Sequence, residues 1–254
     1  MEQKSGAGVQ REVAILLTDM VGYSRLTSTM TPEQVRDFVV SYHRDLVRLI
    51  KRPPFEPVET EPSAGDGALI IFEKLPGEGP EQMCRRALAA ATDLAYAARR
   101  MEVTATRMGL FKGDIIEARI GGKRAKFGTG FAVASRLEEL CDYFGTVMLM
   151  DRDVAMMQDE LKPYLVHIGK VTPQNISHPI HLHTVYRPGL HRIPEDVDRS
   201  RLQEFIGLKN EAMELFCGNE KEQVDPDFPT VRKKLLQART IFQELCDTVD
   251  IGTE

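Results

Sequence analysis

Val13-Ala14-Ile15-Leu16-Leu17-Thr18-Asp19-Met20-Val21-Gly22-Tyr23-Ser24 is the stretch on which the reading of the whole chain turns. Five apolar residues run without a break, a single carboxylate follows, and then comes a turn with one glycine. A short uninterrupted apolar run reads as a strand buried on both faces. Such a strand would hold Asp19 rigidly at the rim of a sheet. Beyond it, the backbone N–H groups of Val21, Gly22, Tyr23 and Ser24 can turn toward one point, with a helix expected soon after. Backbone donors beside a fixed carboxylate suit a metal-bound polyphosphate. The plain alternative is a buried strand ending in an Asp-capped turn.

Downstream, Thr31-Pro32-Glu33-Gln34 marks a helix start, with a Thr cap, Pro at the first position and an acid in the first turn. Apolar residues from Val35 to Ile50 follow at helical spacing, and the helix must stop before Pro53-Pro54. Val58–Glu61 and Ala68–Phe72 are strand-like and flank Gly65-Asp66-Gly67, a hairpin signal that sets a second lone carboxylate at a strand tip. The alternative for Asp66 is an ordinary Asp-Gly turn. Glu81 to Met101 reads as an alanine-rich helix made for close packing on a sheet. Val103–Phe111 and Ile115–Ile120 read as a strand pair turning at Lys112-Gly113-Asp114. A basic, glycine-rich segment from Gly121 to Gly130 precedes a helix, Phe131 to Cys141, that carries Arg136. Its Gly128-Thr129-Gly130 is by itself only a fragment of a phosphate loop. Short strands follow at Thr146–Met150, Leu165–Ile168 and Ile180–Tyr186. The order predicts an α+β fold, an antiparallel-rich sheet with helices on one face and a ferredoxin-like core.

Composition bounds the function. The 254 residues are 42% apolar, enough for a real core, and the net charge is −5, which argues against a nucleic-acid surface. The chain has 33 basic and 38 acidic side chains. Residues 190–254 hold 9 and 14 of these, so the acidic excess lies wholly in the tail. Cys84, Cys141, Cys217 and Cys246 form no CxxC, and the first two fall in helical stretches as packing residues of a reducing compartment. With no apolar signal core and no run of about 18 apolar residues, the expectation is a soluble, cytoplasmic protein with no membrane partner.

Three of these pieces together resemble the class III nucleotidyl cyclases. Thr18-Asp19-Met20-Val21-Gly22-Tyr23-Ser24 is similar to the first metal motif of that family. Gly65-Asp66-Gly67 before Ala68–Phe72 resembles its second metal hairpin. Gly128-Thr129-Gly130-Phe131-Ala132-Val133-Ala134-Ser135-Arg136 resembles its helix bearing the transition-state arginine. The motifs stand in the family's order and spacing over residues 12–188. The resemblance implies the cyclase-homology fold and a head-to-tail homodimer with composite sites between chains. It implies two divalent ions, Mg²⁺ or Mn²⁺, on Asp19, Asp66 and the carbonyl of Met20, with Arg136 as the catalytic residue. It implies a nucleoside triphosphate as ligand, met by Val21–Ser24, Gly65 and Lys170, and cyclisation to a 3′,5′-cyclic nucleotide with release of pyrophosphate. Where family members read the base or orient the ribose, this chain has Pro62, Ala125 and Ala132. A degenerate cyclase-homology domain that binds nucleotide or protein with little turnover is therefore the other reading.

The chain divides, on this reading, into a flexible N-terminus (1–11), the cyclase-homology domain (12–188) and an acidic helical appendage (189–254). The appendage reads as two amphipathic helices. One carries Leu202, Phe205, Ile206, Met213 and Phe216. The other starts near Pro229 and carries Leu235, Leu236, Ile241, Phe242 and Leu245. They would pack on their own domain, extend a dimer or dock another protein. His181 and His183 share one face of a strand, spaced as a metal pair, but no third ligand claims a place beside them, so a solvent-facing edge strand is expected there.

Overall fold

The computed structural model describes residues 8–63, 65–120, 123–191, 193–218 and 225–248. The apolar run forms the long strand β1 (Val9–Met20), which carries Asp19 at its C-terminal end. Gly22 caps the short helix α1 (Tyr23–Thr27). Helix α2 (Pro32–Ile50) begins at the expected Thr31 cap, where the Gln34 N–H donates to Thr31 Oγ1 and the Thr31 N–H donates to Gln34 Oε1 at 2.8 Å. Strands β2 (Glu59–Ser63) and β3 (Gly67–Phe72) form the expected hairpin, and α3 (Pro80–Arg99) is the alanine-rich helix. Then come β4 (Thr106–Ile120), β5 (Lys123–Phe127), α4 (Thr129–Tyr143), β6 (Met148–Met150), α5 (Arg152–Met156), β7 (Leu165–Val171) and β8 (Ile180–Val185). Helices α6 (Arg199–Cys217), α7 (Phe228–Ile241) and α8 (Gln243–Thr248) end the chain. The strands run in the order β2-β3-β1-β4-β6-β8-β7, with β5 paired to β4. All pairings are antiparallel except β4 with β6.

Strand β1 is buried on both sides, as an unbroken apolar run requires. Ala14, Leu16 and Met20 face one core with α2 and α3, and Val13 and Ile15 face another with Ala134 of α4. Helices therefore cover both faces of the sheet, not the one face expected from element order. Cys84 and Cys141 are buried packing residues, as expected. Among the described residues no helix is long and apolar enough to cross a membrane.

Two local expectations are corrected. Lys112-Gly113-Asp114 is not a turn. Strand β4 passes straight through it, because β1 pairs with β4 over twelve rungs, from Met20↔Thr106 to Val9↔Glu117. A partner that long outweighs the local turn chemistry, and the chain next reverses between Ile120 and Lys123. Second, β8 is an inner strand between β6 and β7, so its histidines are not on a solvent-facing edge. His183 is only 3% exposed. Burial, with the neighbouring histidines, pushes His167 down to about 3, and burial pushes His183 down to about 4.

The tail packs on its own sheet. Leu202, Phe205 and Ile206 of α6, with Ala238, Phe242 and Leu245, share a core with Val166, Ile168, Ile180 and Leu182. Of the N-terminal stretch expected to be flexible, residues 1–7 lie outside the described residues, and Val9–Arg11 are rungs of β1. In the polar link before α7, residues 219–224 also lie outside them.

Asp151 gives the fold a pH dependence that can be measured. It caps α5, accepting the Val154 N–H at 3.2 Å, and burial pushes its carboxyl up to about 7. Between about pH 4 and that value the folded chain keeps a proton that the unfolded chain releases, so this group's contribution to stability falls as pH rises. Asn can accept the same cap bond but does not titrate. Urea denaturation at about pH 5 and about pH 8 should therefore show a smaller loss of stability for Asp151→Asn than for wild type. Equal losses would remove Asp151 as the cause.

Candidate active site

The two aspartates meet at adjacent strand ends. Asp19 pairs with Gly67 across the β1–β3 ladder, one residue from Asp66, and the Met20 N–H donates to the Asp66 carbonyl at 3.1 Å. Gly67 makes this approach possible, since a Cβ there would stand 2.3 Å from the Thr18 carbonyl oxygen. Thr18 Oγ1 accepts the Ala68 N–H at 3.0 Å and lies 3.3 Å from the Tyr42 hydroxyl, while the His43 ring reaches the Gly65 carbonyl at 3.1 Å. Helix α2 thus buttresses the hairpin from below. The carboxylates interact directly. Burial raises the Asp19 carboxyl above its usual range, Arg107 opposes the rise, and the Asp66 charge adds to it.

Arg107, opposite Asp19 in β4, is a site residue that the sequence reading missed. Its guanidinium donates to Asp19 Oδ2 at 2.8 Å and lies 3.2 Å from Glu138 Oε1 and 3.4 Å from Asp142 Oδ1. Glu138 was missed too. Burial first, and the Asp19 charge next, push its carboxyl up to about 7. Gly109 lets α4 descend far enough for this contact, because a Cβ there would stand 2.0 Å from the Ala134 carbonyl oxygen. Both residues left a trace in the sequence. Arg107 is a charge beside an apolar strand run, and Glu138 sits among Ala134, Leu137 and Cys141 on the buried stripe of its helix.

The remaining expected residues are distributed unevenly. Met20 is buried at the strand end, and Gly65 lies in the hairpin turn. The Val21 N–H is not available to a phosphate, because it donates to the Ala105 carbonyl at 2.8 Å. Gly22, Tyr23 and Ser24 form the cap and first turn of α1, where N–H groups have no acceptor within the helix. Arg136 is on the outer side of α4, paired with Glu139. Ala132 is exposed one turn before it. Lys170 is in β7, four strands from β1, about 19 Å away at ordinary strand spacing. A cavity of about 430 Å³ has Val21, Arg107 and Asp142 on its wall, but neither Asp19 nor Asp66 lines it.

Residues 7–170 match the family model described as the adenylate and guanylate cyclase catalytic domain. The chain belongs to that family. Solved cyclases share its fold at low sequence identity. A bacterial light-regulated adenylyl cyclase superposes with a TM-score of 0.58 at 20% identity, covering 78% of this chain and 57% of that one. This cyclase-family chain therefore spans little more than half of that protein. The adenylyl cyclase CyaB from P. aeruginosa superposes at 0.58 and 15% identity, covering 71% and 96%. The guanylate cyclase domain of RhGC from Catenaria anguillulae, in complex with GTP, superposes at 0.52 and 12%, covering 70% and 100%. A search of curated proteins finds no match.

Arg107 acts as an internal counter-ion to Asp19, as it does to Glu138 and Asp142. Arg107→Ala leaves Asp19 and the buried Glu138 uncompensated and should destabilise the protein by about 1–3 kcal/mol. Added Mn²⁺ should raise the melting temperature of the variant more than that of wild type. Equal shifts would mean that Arg107 and the cation do not compete.

Proposed function

We propose that this chain is a metal-dependent nucleotide cyclase, converting a nucleoside triphosphate to its 3′,5′-cyclic monophosphate and pyrophosphate. The observation that carries the proposal is the Asp19–Asp66 pair, held side by side at adjacent strand ends in a member of the cyclase family. Two carboxylates and the Met20 carbonyl offer only hard oxygen donors, a set that fits Mg²⁺ or Mn²⁺ and not a softer metal. Two such ions, held there, supply acidification of the ribose 3′-hydroxyl and charge neutralisation on the triphosphate. The residues of the chain do the rest. The rigid ends of β1 and β3 fix the carboxylates, so that no reorganisation is needed during the reaction. The first-turn N–H groups of α1, together with Gly65, face phosphate oxygens. Arg136 stabilises the charge that grows at the α-phosphate.

Within one chain Arg136 pairs with Glu139 and Lys170 lies four strands from β1, which supports a site completed by a second copy. The β4–β5 ribbon adds to this support. Ile116, Ile120 and Phe127 are 46%, 59% and 43% exposed on one face of it. Apolar surface concentrated on a two-stranded ribbon favours a covering partner. Cytoplasmic location belongs to the same proposal, as does a protein partner on the exposed Phe216, Phe228 and Leu236 of the C-terminal helices.

Two observations favour the second reading, a binding module with little turnover. Arg107 already compensates Asp19 from within the chain, and Ala132 leaves no amide to orient the ribose. The readings separate in one experiment. Purified protein is incubated with each of the four nucleoside triphosphates and Mn²⁺, and cyclic products are read by mass. Wild type should yield a product, and Asp19→Asn should abolish it. Arg136→Ala should lower kcat by about 10²–10³ with little change in KM, because its contact strengthens in the transition state. Nucleotide binding without product, in wild type and in Ala132→Asn alike, would establish the second reading.

A further inference from the structure

Away from the carboxylates, three residues from distant parts of the chain converge under α6. His167 lies in β7, His181 in β8, and Cys217 is the last residue of α6. His167 pairs with His183 across the ladder, which puts His181 diagonally beside it on the same face. A register shift between His167 and Gly169 bends β7 at this point. His167 Nε2 lies 3.1 Å from His181 Nδ1 and 4.0 Å from Cys217 Sγ. The three donor atoms all lie within 4.8 Å of one another.

We propose that His167, His181 and Cys217 bind a zinc ion that fastens α6 to the β7–β8 hairpin. Around tetrahedral zinc, nitrogen–nitrogen edges of about 3.3 Å and nitrogen–sulfur edges of about 3.6 Å follow from its bond lengths. The observed spacings bracket these values, so small rotamer changes suffice. Imidazole and thiolate suit Zn²⁺ and discriminate against Mg²⁺, Ca²⁺ and Mn²⁺, which prefer oxygen. The surroundings are those of a built site. His167 Nδ1, the nitrogen turned away from the cluster, lies 3.4 Å from Glu214 Oε1 but makes no hydrogen bond to it, so a small rotation of the half-exposed Glu214 would complete the carboxylate–histidine arrangement that fixes a ligand's tautomer. The His183 ring stacks on His167 at 4.7 Å between centroids with 7° between planes, closing that side. Three protein ligands leave the fourth position for water, which makes the ion exchangeable. Binding releases the Cys217 thiol proton, so affinity rises with pH.

The test is Co²⁺ titration of the full chain, followed by competition with Zn²⁺. The wild type should take up one thiol-ligated ion per chain, giving a thiolate-to-cobalt charge-transfer band and visible absorption of tetrahedral intensity. Zn²⁺ should remove both. Cys217→Ser should lose the charge-transfer band, whereas Asp19→Asn and the exposed-histidine control His178→Ala should keep it. The Glu214 carboxylate is half-exposed, so Glu214→Gln should fold normally and bind about 10–100-fold more weakly. Absence of the band in wild type, its survival in Cys217→Ser, or unchanged affinity in Glu214→Gln would each overturn the proposal. An oxygen-only site at Asp19 gives no thiolate band, so the outcome here is independent of whether the protein cyclises nucleotides.

Discussion

Two carboxylates held side by side repel, and the strands of this sheet hold Asp19 and Asp66 there. Asp19 is fixed by an inner strand with ladders on both sides, and Asp66 by a hairpin whose Gly67 permits backbone contact with that strand. Neither can withdraw without breaking rungs of β1. Burial first, and the Asp66 charge after it, raise the Asp19 carboxyl above its usual range. Such a pair is relieved by a positive charge beside it or by a proton taken up by one member. In this state Arg107 provides that charge, and Glu138 and Asp142 hold Arg107 in turn.

What the sequence revealed, and what it did not, follows the range of the interactions concerned. The strand ending in Asp19, the Gly65-Asp66-Gly67 hairpin and the Thr31 cap are each written within a dozen residues, and each stands where local chemistry puts it. Lys112-Gly113-Asp114 has turn residues but no turn, because the length of β1 decides its conformation from a hundred residues away. Arg107 becomes a site residue only through pairing with Asp19, a neighbour set by topology. His181 lacked further ligands in the sequence because His167 and Cys217 reach it only when α6 folds back across β7. Alternation along each strand was legible; the identity of the facing strand or helix was not.

Strand β7 would be an open edge without α6. Asn210 of that helix donates from Nδ2 to the Leu165 carbonyl at 2.9 Å and accepts the His167 N–H on Oδ1 at 2.8 Å. One side-chain amide thus does what a neighbouring strand would do, satisfying a donor and an acceptor on the exposed side of the sheet. Around it Leu202, Phe205 and Ile206 are buried against Val166 and Ile168, each contributing about 1.5–3 kcal/mol by removal from water.

This coupling bears on how the family-matched segment works in this chain. The match ends at residue 170, before β8 begins, yet β8 is the strand that joins β7 to the rest of the sheet. Lys170 is therefore held in place by residues beyond the match, β8 on one side and α6 over the edge. The same two elements supply His181 and Cys217. An ion on those ligands would tie the C-terminal helix to the strand bearing Lys170, three residues from His167 along β7. The acidic tail and the carboxylate pair sit at opposite ends of one sheet. The tail bears on the site through the seating of β7 and through the core it shares with Val133, Leu137 and Cys141 of α4, and neither requires the tail to touch Asp19 or Asp66.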